Sequence, residues 1–127
     1  MKNYEVLDNL NKINKFIQRE VENNKSFVSA KARFVIKKNL KALSNIYEIY
    51  MECLKEILGK YNVKTNEDGS IVIGKDNPEA DKIQADLQSL LNASSEVVIN
   101  KIAETDFTDD CLLGDMLLLD FMTESEE

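Results

Sequence analysis

From Ile36 onward, apolar residues recur at Leu40, Leu43, Tyr47, Tyr50, Leu54, Ile57 and Tyr61, at alternating steps of four and three. That alternation is a heptad seam, held for about three and a half repeats. A second stripe of Val35, Ala42, Ile46, Ile49 and Cys53 runs beside it. The spacing predicts one helix from Val28 or Ser29 to Tyr61, roughly 50 Å long at 1.5 Å per residue. So wide an apolar stripe asks for neighbours on two sides.

The first neighbour is close at hand. Val6, Leu10, Ile13 and Ile17, flanked by Leu7, Phe16 and Val21, mark an amphipathic helix over Lys2 to Val21. The polar run from Glu22 to Ser26 ends it, because Asn and Ser side chains compete for backbone hydrogen bonds. The two helices are expected to fold back on one another as a long antiparallel hairpin.

After Tyr61 the period changes. Asn62 to Thr65 and Ser70 to Ile73 flank an Asp68-Gly69 step, the composition of a β-hairpin turn. Two short strands are marginal alone, so Glu96 to Ile102 is expected as a third. Asn77-Pro78 reads as an N-cap and first helical position for a helix through Ala80, Ile83, Leu87 and Leu90, ending near Asn92. Thr108 is expected to cap a last helix with Asp109 and Asp110 in its first turn. Residues 123–127 are expected to form a frayed acidic tail. The fold class is α+β, mainly α: a long helical hairpin, a short β-hairpin or small sheet, and two shorter helices, in one domain over residues 1–127.

Composition excludes whole classes of activity. The chain of 127 residues has no His and only two Cys, so a zinc site lacks ligands and the commonest general base is absent. No Gly-rich phosphate loop, nucleophile elbow or metalloprotease motif occurs. Cys53 falls on an apolar stripe and reads as a buried thiol; Cys111 has acidic neighbours that oppose thiolate formation. The sequence therefore predicts no catalytic residues, no cofactor and no metal. No apolar stretch is long enough to span a membrane, and the first residues lack a signal-peptide core, so a cytoplasmic location is expected. The abundance of Asn, Lys and Ile beside only two Arg is the bias of an AT-rich genome.

Charge is strongly polarised. Residues 1–61 hold 12 Lys and Arg against 7 acids, whereas residues 62–127 hold 4 Lys against 16 acids. From Lys25 to Lys41 there is no acid; from Glu104 to Glu127 there are nine acids and no base. Arg33, Lys37, Lys38 and Lys41 share a sector of roughly 140° on the second helix, with Phe34 in its middle. This face is either solvated, or covered by the chain's own acidic half, or a site for an anionic ligand such as a nucleotide. The net charge of −7 argues against direct nucleic-acid binding.

Asp106, Asp109, Asp110, Asp115 and Asp120 form a candidate acidic surface for a basic partner. Their spacing does not match a calcium loop. The leucine-rich run from Leu112 to Met122 is too apolar for one buried helix face, and Leu113, Leu117, Leu118 and Phe121, with Tyr47 and Tyr50 on the seam, are the candidate interface residues. A protein partner, a second copy or a protein with a basic surface, follows from these features.

The run Lys31-Ala32-Arg33-Phe34-Val35-Ile36-Lys37-Lys38-Asn39-Leu40, with the long helix, Lys60-Tyr61 and Asp68-Gly69 after it, resembles a family of small bacteriophage- and prophage-encoded helical proteins. The resemblance covers residues 28–122. It implies a phage-encoded interaction protein, either a structural or assembly accessory or an inhibitor of a host defence factor, acting in the host cytoplasm. It carries over no catalytic motif and assigns no site.

Overall fold

A computed structural model describes residues 1–74 and 76–124. Helix α1 spans Asn3–Asn23, α2 Ala30–Lys60, α3 Ala80–Asn92 and α4 Leu113–Leu117; β1 is Ile102–Ala103 and β2 is Thr123–Glu124. Short 3-10 turns cover Glu104–Asp106 and Asp120–Met122. The fold is α+β and mainly α, as the periodicity implies. Among the described residues no helix is long and apolar enough to cross a membrane.

The two long helices begin and end where their side chains dictate. The Glu5 carboxylate accepts from the Lys2 N–H at the start of α1. At its end Asn24 adopts φ 51°, a left-handed cap that Asn tolerates better than most residues. Ser29 caps α2, its hydroxyl accepting from the Ala32 N–H at 3.2 Å.

The core is laid down between α1 and the first half of α2. Val6, Ile13 and Phe16 meet Ala32, Ile36 and Leu43, all 0–1% exposed. Phe27 closes this core edge-to-face on Phe16, with centroids 5.8 Å apart. At 1.5 Å per residue α2 extends about 46 Å and α1 about 31 Å, so α2 overhangs its partner by roughly 15 Å. The later seam residues are consequently only partly covered. Tyr50, Leu54 and Ile57 are half-buried, Tyr47 is exposed, and the two tyrosine rings stack on one another at 6.4 Å.

The sheet differs from the expected one. Of the hairpin only the turn and one antiparallel bridge, Thr65 with Ile71, are present. Gly69 takes φ 85° there, and Asp68 is held in the turn by the Ser70 N–H and hydroxyl. The segment Glu96 to Lys101 joins no strand. The reason is a helix side chain: Asn39 is fully buried, its Nδ2 donates to the Asn100 carbonyl, and its Oδ1 accepts from the Asn100 N–H, both at 2.9 Å. The donor and acceptor that a strand would have used are taken. The sheet that does form pairs Ile102 with Thr123 and Ala103 with Glu124, in parallel.

Helix α3 starts two residues later than expected. The Asn77 side chain accepts from the Glu79 N–H, which leaves Pro78 in the preceding turn. The long C-terminal helix is absent as such. Thr108 does not cap it; its hydroxyl donates to the Ser26 carbonyl, and Phe27 accepts from the Thr108 N–H. Asp109 and Asp110 sit in a turn, and only five residues become α4. Of the expected frayed tail, Thr123 and Glu124 are strand β2; residues 125–127 lie outside the described residues.

Candidate functional site

The C-terminal segment is a layer laid along the helical pair, from the loop after α1, where Thr108 binds Phe27, to the start of α1, where Phe121 lies near Met1 and Tyr4. One antiparallel bridge, Val28 with Phe107, fixes it to the loop after α1 through two backbone hydrogen bonds: the Ser29 N–H donates to the Asp106 carbonyl and the Thr108 N–H to the Phe27 carbonyl. Ile102, Cys111, Leu119 and Met122 then enter the core. The remaining apolar residues of the segment divide between inside and outside.

Leu112, Leu113 and Leu117 point outward, at 63%, 71% and 59% exposure. Leu113 and Leu117 stand one turn apart on α4, and Leu112 precedes them at its cap. Asp109, Asp110 and Asp120 are exposed around them. Isolated exposed leucines are ordinary, but three neighbours on one edge form a contact surface. Leu112 completes this edge and was not among the interface residues expected from the sequence. Leu118 and Phe121, which were, turn inward and pack against the core.

Two of the five expected surface acids have internal partners. Asp115 is buried; one carboxylate oxygen accepts from Arg19 Nε at 3.0 Å, and the other is buried without a partner. The same hydrogen bond holds the Arg19 guanidinium above its ordinary pKa. Asp106 is half-buried and accepts from the Ser29 hydroxyl and the Ala103 N–H. The acidic surface is therefore Asp109, Asp110 and Asp120.

The basic face divides in the same way. Arg33 pairs with the buried Glu20, whose carboxylate also accepts from the Phe27 N–H at 2.8 Å. That pairing removes Arg33 from any anion site. Phe34 stands 66% exposed with the Lys38 ammonium over its ring. Among the described residues Lys37, Lys38 and Lys41 form no ion pair. Across the two oppositely charged halves, among the described residues, Arg19–Asp115 and Lys60–Asp86 are the pairs formed, the latter joined by the Tyr61 hydroxyl at 2.7 Å from Asp86.

Both thiols are free. Burial pushes Cys111 up to about 11, and Asp115 and Glu20 nearby add to the shift. Such a thiol is protonated at neutral pH and is no nucleophile. Cys53 is half-buried on the α2 overhang.

That overhang also builds a groove that sequence reading did not foresee. Met51, Leu54 and Leu58 of α2 form one wall, and Val63, Thr65 and Ile71 around the turn form the other, enclosing about 680 Å³. The length mismatch of the two predicted helices was the available signal. No protein-family profile, no curated protein and no solved structure matches this chain.

Proposed function

We propose that this protein works by contact and transforms no substrate: a phage-encoded interaction protein whose docking surface is the leucine edge of the C-terminal layer. One observation carries the reading. Leu112, Leu113 and Leu117 are majority-exposed beside Asp109, Asp110 and Asp120, in a stretch from Glu104 onward with no basic residue. An apolar centre with exposed acids beside it suits a partner with an apolar depression and basic residues at its margin. An assembly accessory and an inhibitor that occupies the basic groove of a host defence factor would both use such a surface. The phage assignment draws on the resemblance of residues 28–122, and a cytoplasmic place of action goes with it.

The test is capture of partners on the immobilised protein, compared with a Leu113→Ser/Leu117→Ser variant. Both leucines are exposed, so the variant keeps its fold. Binding that weakens as salt screens the exposed acids and is lost in the variant is the expected result. Capture indifferent to both salt and substitution would sink the reading.

The basic face as a nucleotide or small-anion site is the second reading, favoured by the unpaired Lys37, Lys38 and Lys41. The committed Arg33 leaves it only flexible ammonium groups and no guanidinium fork. A thermal shift with nucleotides that Lys37→Glu/Lys38→Glu abolishes would support it.

A further inference from the structure

We infer that the leucine edge docks into the groove on the α2 overhang of a second copy of this chain, so that copies associate head to tail. The inference rests on the contact reading above and supplies its partner.

The two surfaces match in apolar character and complement one another in charge. The edge is apolar: Leu113 and Leu117 are exposed, the exposed acids Asp109 and Asp110 precede them in the chain, and Lys15 and Arg19 of α1 lie along the other side of α4 at Gly114 and Asp115. The groove is concave and mainly apolar, walled on the α2 side by Met51, Leu54 and Leu58, and among the described residues the charged ones on its lining are Lys55 and Lys64. The turn contributes acids nearby, but Asp68 faces Ser70 inside the turn and does not line the groove. At about 680 Å³ the groove has room for more than one leucine side chain.

Geometry excludes insertion within one molecule. The edge is fixed beside the start of α2 through Ser26, Phe27 and Ser29. The groove lies at the other end of that helix, roughly 40 Å away at 1.5 Å per residue. The contact must therefore join two copies. Because edge and groove are different surfaces, it is heterologous, and repetition gives a ring or an open chain.

This architecture makes a prediction that no symmetric dimer shares. Gly59 lies on the groove wall with no heavy atom within 4 Å of an added Cβ, so the backbone there accepts a side chain and Gly59→Glu brings a negative charge to the groove wall. Leu113→Ser/Leu117→Ser removes the edge. Sedimentation velocity of the wild-type protein should show association growing with concentration and weakening about tenfold as salt rises from about 0.05 to 0.5 M. Each variant alone should be monomeric. Mixed in equal amounts they should form a one-to-one complex that grows no further, since each supplies the surface the other lacks.

Three results would overturn the inference: a wild-type protein monomeric at about 1 mM, where weak contacts still populate; either variant associating like wild type; or a mixture that stays monomeric. Loss of association in Lys37→Glu/Lys38→Glu would move the contact to the basic face of α2 and would equally overturn it. A monomeric wild type that still captures partners through its leucines leaves the contact reading standing with a different partner. A wild type whose capture ignores the leucine substitutions takes both down.

Discussion

Asn39 is the residue on which the irregular half of the molecule hangs. Its amide is fully buried, and it satisfies both backbone groups of Asn100 across 61 positions of sequence. Asn39→Ala leaves the Asn100 N–H and carbonyl without their partners at a part-buried position, and desolvated groups of that kind cost about 1–3 kcal/mol each. Chemical denaturation should show a loss of about 2 kcal/mol or more, with Asn39→Asp no better because a carboxylate cannot donate to the Asn100 carbonyl. Cys111 gives a second residue-level outcome. Its native pKa is raised from 9.0 to about 11 by burial and by Asp115 and Glu20. The folded state then holds a proton that the unfolded state releases, so the contribution is complete below pH 9 and is lost as pH rises from 9 towards 11. The difference in stability between wild type and Cys111→Ser should narrow over that window. Under native conditions at pH 8, a thiol reagent should modify Cys53 well before Cys111.

At the scale of elements, what could be read in advance depended on length. Helices α1 and α2 were legible because a period of 3.5–3.6 accumulates over 21 and 31 residues, and their caps at Asn24 and Ser29 lie where polar side chains interrupt the pattern. Strands β1 and β2 have two residues each, too few for a period of two to show. The candidate site was half legible. Exposed Leu113 and Leu117 followed from an excess of leucine, but the inward turn of Leu118 and Phe121 goes with α4 stopping after five residues and giving way to the 3-10 turn at Asp120–Met122, which no periodicity in so short a run announces. The overhang of α2 carries its own prediction. Gly59 costs helix stability through backbone freedom, and an added Cβ there meets nothing within 4 Å. Gly59→Ala should therefore stabilise the protein by about 0.5–1 kcal/mol, read as a raised thermal midpoint.

The whole molecule is a helical pair covered along one side by an irregular layer, and that layer has two jobs that its residues divide between them. Its inward side completes the core: Leu119 and Met122 are fully buried, Met122 against the same Asn39 that holds Asn100. Its outward side presents the leucine edge. Opposite charges on the two halves do little to fasten the layer, since Arg19–Asp115 is the one ion pair binding it to the helices among the described residues. Apolar burial and the backbone ties at Phe27, Val28 and Ser29 do most of that work. Residues of similar size in one short segment should then respond very differently to truncation. Met122→Ala removes buried apolar volume and leaves a cavity, which costs about 2–5 kcal/mol. Leu117→Ala, at 59% exposure, should change stability by no more than about 0.5 kcal/mol while weakening association. Urea unfolding of the two variants, run beside sedimentation of each, separates the roles. Equal destabilisation by both would mean that the leucine edge is folded under and that no contact surface exists there.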